Sequence, residues 1–164
     1  MKEILNKVFL ELDTRISEEN KNRRRDGGRT VSHAVIKIIG QASLLAQPEL
    51  TISLTLAQTG DLDAFLDCDY FIKSTLKEIL PQYGLIYDED SPLVFVPKGS
   101  QFAIFSEYKN LTVKIIDPES ALVSKAVKAP EKNKLLIREA IASGEYSGLI
   151  DRIELEGGDL KNFI

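Results

Sequence analysis

The stretch Gln58-Thr59-Gly60-Asp61-Leu62-Asp63-Ala64-Phe65-Leu66 passes from a turn signal straight into apolar residues that carry two carboxylates. As a strand it projects Asp61 and Asp63 from one face, roughly 6.5 Å apart, close enough to share metal ions. The spacing alone singles out nothing, because Asp-x-Asp recurs at Asp67/Asp69 and at Asp88/Asp90. Context separates the three pairs. Asp67 to Asp69 falls where the strand gives way to a helix, Tyr70 to Gln82, with Ile72, Leu76, Ile79 and Leu80 on its apolar face, so this pair reads as a helix cap. Asp88-Glu89-Asp90-Ser91-Pro92 has the composition of a polar turn. Asp61 and Asp63 remain as candidate metal ligands, against a plainer reading as a turn aspartate and a solvent-facing strand residue.

On the N-terminal side, Val31 to Ile39 is β-branched and apolar and stops at Gly40, which predicts a buried strand ending in a turn. Gln41 to Gln47 then favours a helix until Pro48 cuts it short. A glycine turn that opens a helix presents unpaired backbone N–H groups and the positive end of the helix dipole, a seat for phosphate oxygens. Leu50, Ile52, Leu54 and Leu56 alternate with small residues and predict an extended segment. Further back, Ile4, Leu5, Val8, Phe9, Leu12 and Ile16 recur at helical spacing, which predicts an amphipathic helix over 2–19. The polar run from Asn20 to Arg29, with four arginines and Gly27-Gly28, is a loop, read either as a solvated connector or as a phosphate or RNA contact. His33, the only histidine, has no catalytic partner in the sequence and is assigned a structural role.

On the C-terminal side, Leu85 to Tyr87 reads as a short strand. Leu93 to Val96 and Gln101 to Phe105 read as a hairpin around Pro97 to Ser100, and Leu111 to Ile116 as a further strand. Asp117-Pro118-Glu119-Ser120 is a helix start, with a cap residue, proline at the first helical position and an acidic first turn. That helix runs to Lys128, another from Pro130 to Ile141, and Tyr146 to Leu155 forms a last one, so 118–156 is a helical region.

A chain of 164 residues, 43% hydrophobic and 28% charged, makes one domain, α/β or α+β, with a mixed sheet and flanking helices. A net charge of −4 argues against a general nucleic-acid-coating surface and leaves room for a local basic patch. The single cysteine, Cys68, excludes an internal disulfide and a multi-cysteine zinc site; with no signal-like or membrane-length apolar run, a cytoplasmic protein is expected.

Two units carry the chemistry: Val35-Ile-Lys-Ile-Ile-Gly40-Gln41-Ala42-Ser43, and Thr59-Gly-Asp61-Leu-Asp63. Over 31–141 the chain resembles the nucleotidyltransferase-fold superfamily, in particular the small prokaryotic branch with abortive-infection and type IV toxin proteins. The resemblance rests on a strand, a glycine turn and helix, then Thr-x-Asp-x-Asp, and on Asp117 to Lys125 through Glu131 to Lys134 as the helical segment after the sheet. It implies a nucleotidyltransferase fold that moves a nucleoside monophosphate from an NTP to a hydroxyl of RNA, protein or a small molecule. Mg2+ or Mn2+ would be held by Asp61 and Asp63, and Asp117 is the candidate third catalytic carboxylate; Asp117 has a competing role as helix cap. Gly40, Gln41, Ala42, Ser43 and Lys125 would bind the nucleotide, and a toxin of this kind would have a protein antitoxin. The chain departs from the pattern at Gln41, where a second glycine or serine is usual, and at Lys132-Asn133, where the branch has Lys-Asp or Arg-Asp. The alternative is a catalytically degenerate fold that serves as a nucleotide- or protein-binding module.

Overall fold

Alternate residues along the central strands decide which side of the sheet each helix covers. The computed structural model describes residues 1–164. Strands β1 (Ala34–Ile39), β2 (Asp61–Asp67), β3 (Ile86–Tyr87), β4 (Phe102–Glu107) and β5 (Leu111–Ile116) form one mixed sheet in the order β3-β2-β1-β5-β4. β1 pairs antiparallel with β2 and parallel with β5; β3 joins β2 in parallel and β4 joins β5 antiparallel. The chain is therefore α+β, with a five-stranded sheet.

One sheet face is closed by helix α1 (Lys2–Arg25) and helix α3 (Tyr70–Ile79). Ala34, Ile36 and Ile38 of β1, Leu62 and Ala64 of β2, and Leu111, Val113 and Ile115 of β5 meet them in a single apolar core. Leu5, Val8, Phe9, Leu12 and Ile16 of α1 are fully buried there. Each such side chain contributes roughly 1.5–3 kcal/mol of transfer free energy. The helix continues past its last apolar contact to Arg25, ending with three arginines in its final turn, a favourable charge for a helix C-terminus.

The opposite face is only partly closed. Helix α2 (Gly40–Leu45) and helix α4 (Pro118–Lys128) cover Ile39 and Ile116, and helices α5 (Lys134–Ser143) and α6 (Leu149–Leu155) complete a second, smaller core with Leu122, Ile137 and Ile153. No helix of the protein is long and apolar enough to cross a membrane.

Some expected elements take another form: α1 does not end at residue 19, and the expected loop from Asn20 to Arg29 is helical as far as Arg25. Leu50 to Ala57 is not a strand: Pro48–Leu50 is a short 3-10 turn and the remainder is irregular, held by the Thr51 hydroxyl bonding to the Leu44 and Gln47 carbonyls. Leu93 to Val96 does not pair in a hairpin; β4 pairs with β5 instead, and the Leu93 to Val96 segment runs beside α4, where the Ser124 hydroxyl donates to the Phe95 carbonyl. The final helix begins at Leu149 rather than Tyr146, because the Tyr146 hydroxyl is engaged with the Leu50 carbonyl and Gly148 fills the cap position.

Candidate active site

The register of β1 against β2 sets Ile39 beside Asp63, which brings the end of β1 onto the second aspartate of the Asp-x-Asp pair. Gly40 turns the chain there with φ +67°, a left-handed conformation that L side chains rarely adopt. A Cβ at this position would lie 2.5 Å from Asp63 Oδ2, so any other residue would be strained in its backbone and would push on the carboxylate. Asp61 opens β2 on the same face, its N–H bonded to the Thr59 hydroxyl.

The third carboxylate of this cluster is Asp88. β3 runs parallel to β2 and continues beyond its two residues, with the Asp88 N–H donating to the Leu62 carbonyl. The turn that follows is pinned to β2: the buried Ser91 hydroxyl accepts from the Ala64 N–H and donates to the Asp88 carbonyl, and the Tyr87 hydroxyl donates to the Ala64 carbonyl. Asp88 is thereby held beside Asp63. The Asp63 carboxyl is pushed up to about 6, first by burial, then by the hydrogen bond and charge of Asp88 and by the charge of Asp61, with Lys125 acting the other way. A carboxyl crowded by two others binds a proton or a cation more readily than an isolated one.

Asp61, Asp63 and Asp88 line one cleft of about 430 Å3 together with Gly40, Gln41 and Thr59. Its far wall carries Lys125, Lys128 and Lys132, and its apolar lining includes Val94, Val96 and Ile116. Lys125 is half-buried; burial lowers its pKa, neighbouring Lys132 lowers it further, and Asp63 partly opposes them. Lys128 lies 5.0 Å from the ring centre of Phe95. Volume, apolar lining and a few convergent charges are the ordinary features of a small-ligand site.

The residues expected at the site divide. Asp61, Asp63, Gly40, Gln41 and Lys125 converge on the cleft. Ala42 is buried in the core beneath it, and the buried Ser43 hydroxyl turns back to the Gly40 carbonyl at 2.6 Å, so neither side chain faces a ligand. The Gln41 side chain is tied to the Ala57 carbonyl at 2.8 Å. Asp117 is not the third carboxylate. It caps α4, accepting from the Ser120 N–H and hydroxyl and from the Gln101 N–H, with Arg152 alongside at 3.9 Å. Its lone pairs are engaged and it lies outside the cleft. Asp88 was readable as a turn residue only, because what makes it a site residue is the pairing of the two-residue β3 with β2, a contact between segments some 25 positions apart in sequence.

The donor set suits a hard divalent cation: carboxylate oxygens with no imidazole or thiolate among them. No three His, Cys, Asp or Glu side chains stand ready to enclose a metal by themselves. Mg2+ is commonly held by one or two carboxylates plus substrate phosphates, and Asp61 and Asp63 are the residues that would hold such an ion.

Fold and cleft together define a single-domain α+β protein with an acidic pair at the end of a glycine turn facing a lysine-bearing helix. No family model, curated protein or solved structure matches the chain.

Proposed function

We propose that this protein is a metal-dependent nucleotidyltransferase that moves a nucleoside monophosphate from an NTP to a hydroxyl acceptor. The observation that carries the reading is the convergence of Asp61, Asp63 and Asp88 opposite Lys125 in one cleft. Lys125, with Lys128 and Lys132, meets the triphosphate as point charges. Asp61 and Asp63 would hold Mg2+ or Mn2+, which would offset phosphate charge and lower the pKa of the attacking hydroxyl. That hydroxyl oxygen bonds to the α-phosphorus, the bond from the α-phosphorus to the β-phosphate bridging oxygen breaks, and pyrophosphate leaves. The hydroxyl proton passes to Asp88. Gly40 keeps the approach to Asp63 open, since any Cβ there would displace the carboxylate.

The experiment is nucleotide binding with Mg2+ followed by transfer of labelled nucleotide to RNA or protein. Asp63→Asn is expected to lower transfer roughly a hundred- to a thousandfold while the fold persists. Absence of any metal-dependent nucleotide binding by the wild-type protein would end this reading. The bond between Gln41 and Ala57 at the cleft edge favours a second one, a degenerate module that binds nucleotide without transfer; binding that persists without turnover and is indifferent to Asp63→Ala selects it.

A further inference from the structure

The sheet has two free edges, and the chain protects only one of them. β3 offers two residues and is followed at once by Asp88-Glu89-Asp90 and Pro92, a short and charged edge that pairs poorly with another chain. β4 offers six residues, with no charge or proline before Glu107. Its Ile104 is 59% exposed. The Gln101 carbonyl accepts from the Asp117 N–H on the β5 side, so by alternation the N–H and C=O of Phe102 and of Ile104 point outward, away from the sheet. No loop bonds them. The regular stretch ends in a bulge between Ile104 and Ser106.

Charge decides how a second copy can approach. On the open sheet face beside this edge, Lys37 of β1 and Lys114 of β5 stand side by side in line with Ile104, and neither makes an ion pair within the chain. Two copies stacked face to face would set these lysines against each other. Two copies joined edge to edge keep their β5 strands three strand spacings apart, about 14 Å, beyond the Debye length at physiological salt. A two-fold axis through Ala103 matches the outward groups: Phe102 of each copy meets Ile104 of the other, both exchange backbone hydrogen bonds, and an aromatic side chain lies against a β-branched one on the same face. The same axis brings the 108–110 turn of each copy to the 97–100 turn of the other. Glu107 and Lys109 flank the first turn; Lys98 and the Glu156 carboxylate, which accepts from the Lys98 N–H, mark the second. Lys98, Glu107 and Lys109 have no ion-pair partner within the chain, and in this arrangement Glu107 meets Lys98 and Lys109 meets Glu156 at both ends of the joint.

We propose that this protein forms a two-fold dimer through β4, in which two five-stranded sheets join antiparallel into one continuous sheet centred on Ala103. The occupant of the edge is a second copy because the pattern is complementary to itself: each copy brings both the apolar pair and both halves of the charge pairs, as an isologous contact requires. Asp61 and Asp63 lie three strands away on β2, so each copy keeps an open cleft, and the dimer holds whatever reaction that cleft performs.

Sedimentation velocity on the full chain, without nucleotide or metal, reads the association apart from any activity. A monomer–dimer equilibrium is expected, with a Kd on the order of 10 μM for an interface this small. Ile104→Lys sets like charges near the axis and is expected to weaken the dimer at least tenfold while the monomer keeps its melting temperature. In a Cys68→Ser background, Ala103→Cys is expected to give a disulfide-linked dimer on mild oxidation, because residues facing each other in a non-hydrogen-bonded pair come about 4.5 Å apart at Cα. Ile86→Cys, on the β3 edge, stays monomeric under the same treatment. Lys98→Glu and Glu107→Lys are each expected to weaken association about fivefold, and the combined variant to recover the wild-type affinity. A wild type that remains monomeric up to about 100 μM overturns the proposal. So does a dimer untouched by Ile104→Lys, crosslinking of the Ile86→Cys variant as fast as that of Ala103→Cys, or a combined charge swap weaker than either single change.

Discussion

Asp63, inside β2 beside the turn that ends β1, and Asp117, between β5 and α4, are both partly shielded aspartates, and the regions around them could hardly be more different. Around Asp117 every neighbour is a donor: the Ser120 N–H and hydroxyl, the Gln101 N–H and the Arg152 guanidinium, which also bonds Glu119. Around Asp63 the nearest polar groups are two further acids, with a cation only across the cleft. A carboxylate whose lone pairs are filled fixes the chain; one surrounded by its own kind is available to a ligand that brings positive charge. The contrast assigns Asp117 to structure and leaves Asp63 open to a ligand.

The strongest way to break that contrast is at Gly40. Gly40→Ala forces a side chain into the left-handed region and onto the Asp63 carboxylate, and is expected to cost roughly 2–3 kcal/mol in urea unfolding. It should also abolish metal-dependent nucleotide binding. If the variant is as stable as wild type and still binds, the close approach of the glycine turn to Asp63 is not a constraint.

A smaller effect is expected at the cap. Asp117→Ala removes the acceptor for the Ser120 N–H and should lower stability by about 1–2 kcal/mol. Nucleotide binding should hold at saturating protein folding, and a loss of binding in the folded variant would return Asp117 to the site.

The smallest effect is a pH dependence. A carboxyl held protonated more tightly in the folded chain than in the unfolded one makes stability fall as pH rises from about 4 to about 6, and leaves it lower at neutral pH. With Asp63 pushed up to about 6, metal-free wild-type protein should lose stability across that window relative to Asp63→Asn. The difference at pH 7 should be roughly 1 kcal/mol, less than the full shift implies, because solvent screens a group this exposed. Thermal melts at several pH values in chelator check it; parallel curves for the two proteins would mean that Asp63 is not crowded.

Much of the architecture was legible in local patterns. The period of Leu5, Val8, Phe9, Leu12 and Ile16 dictated an amphipathic helix, because a helix that long is stable only with an apolar stripe to bury. Likewise Asp117-Pro118 marked a helix start by its own backbone chemistry, and Gly40 marked the turn after a buried strand. Legibility failed where a segment's state depends on a distant partner. Leu93 to Val96 is apolar enough for a strand, yet β5 already has its antiparallel neighbour in β4, and the segment lines the cleft instead.

The site followed the same division. Asp61, Asp63 and Gly40 could be named from residue types and spacing, since each is recognisable within its own element, and Lys125 from the family resemblance. Asp88 and the Lys37–Lys114 row could not. Their roles come from register across the sheet, β3 against β2 and β1 against β5, and register is settled by which faces of several segments are buried together. What the sequence determined by itself is where helices and strands start and which residues could do chemistry; only the tertiary structure decided which carboxylates share a cleft and which lysines stand side by side, because those are contacts between segments that no local pattern encodes.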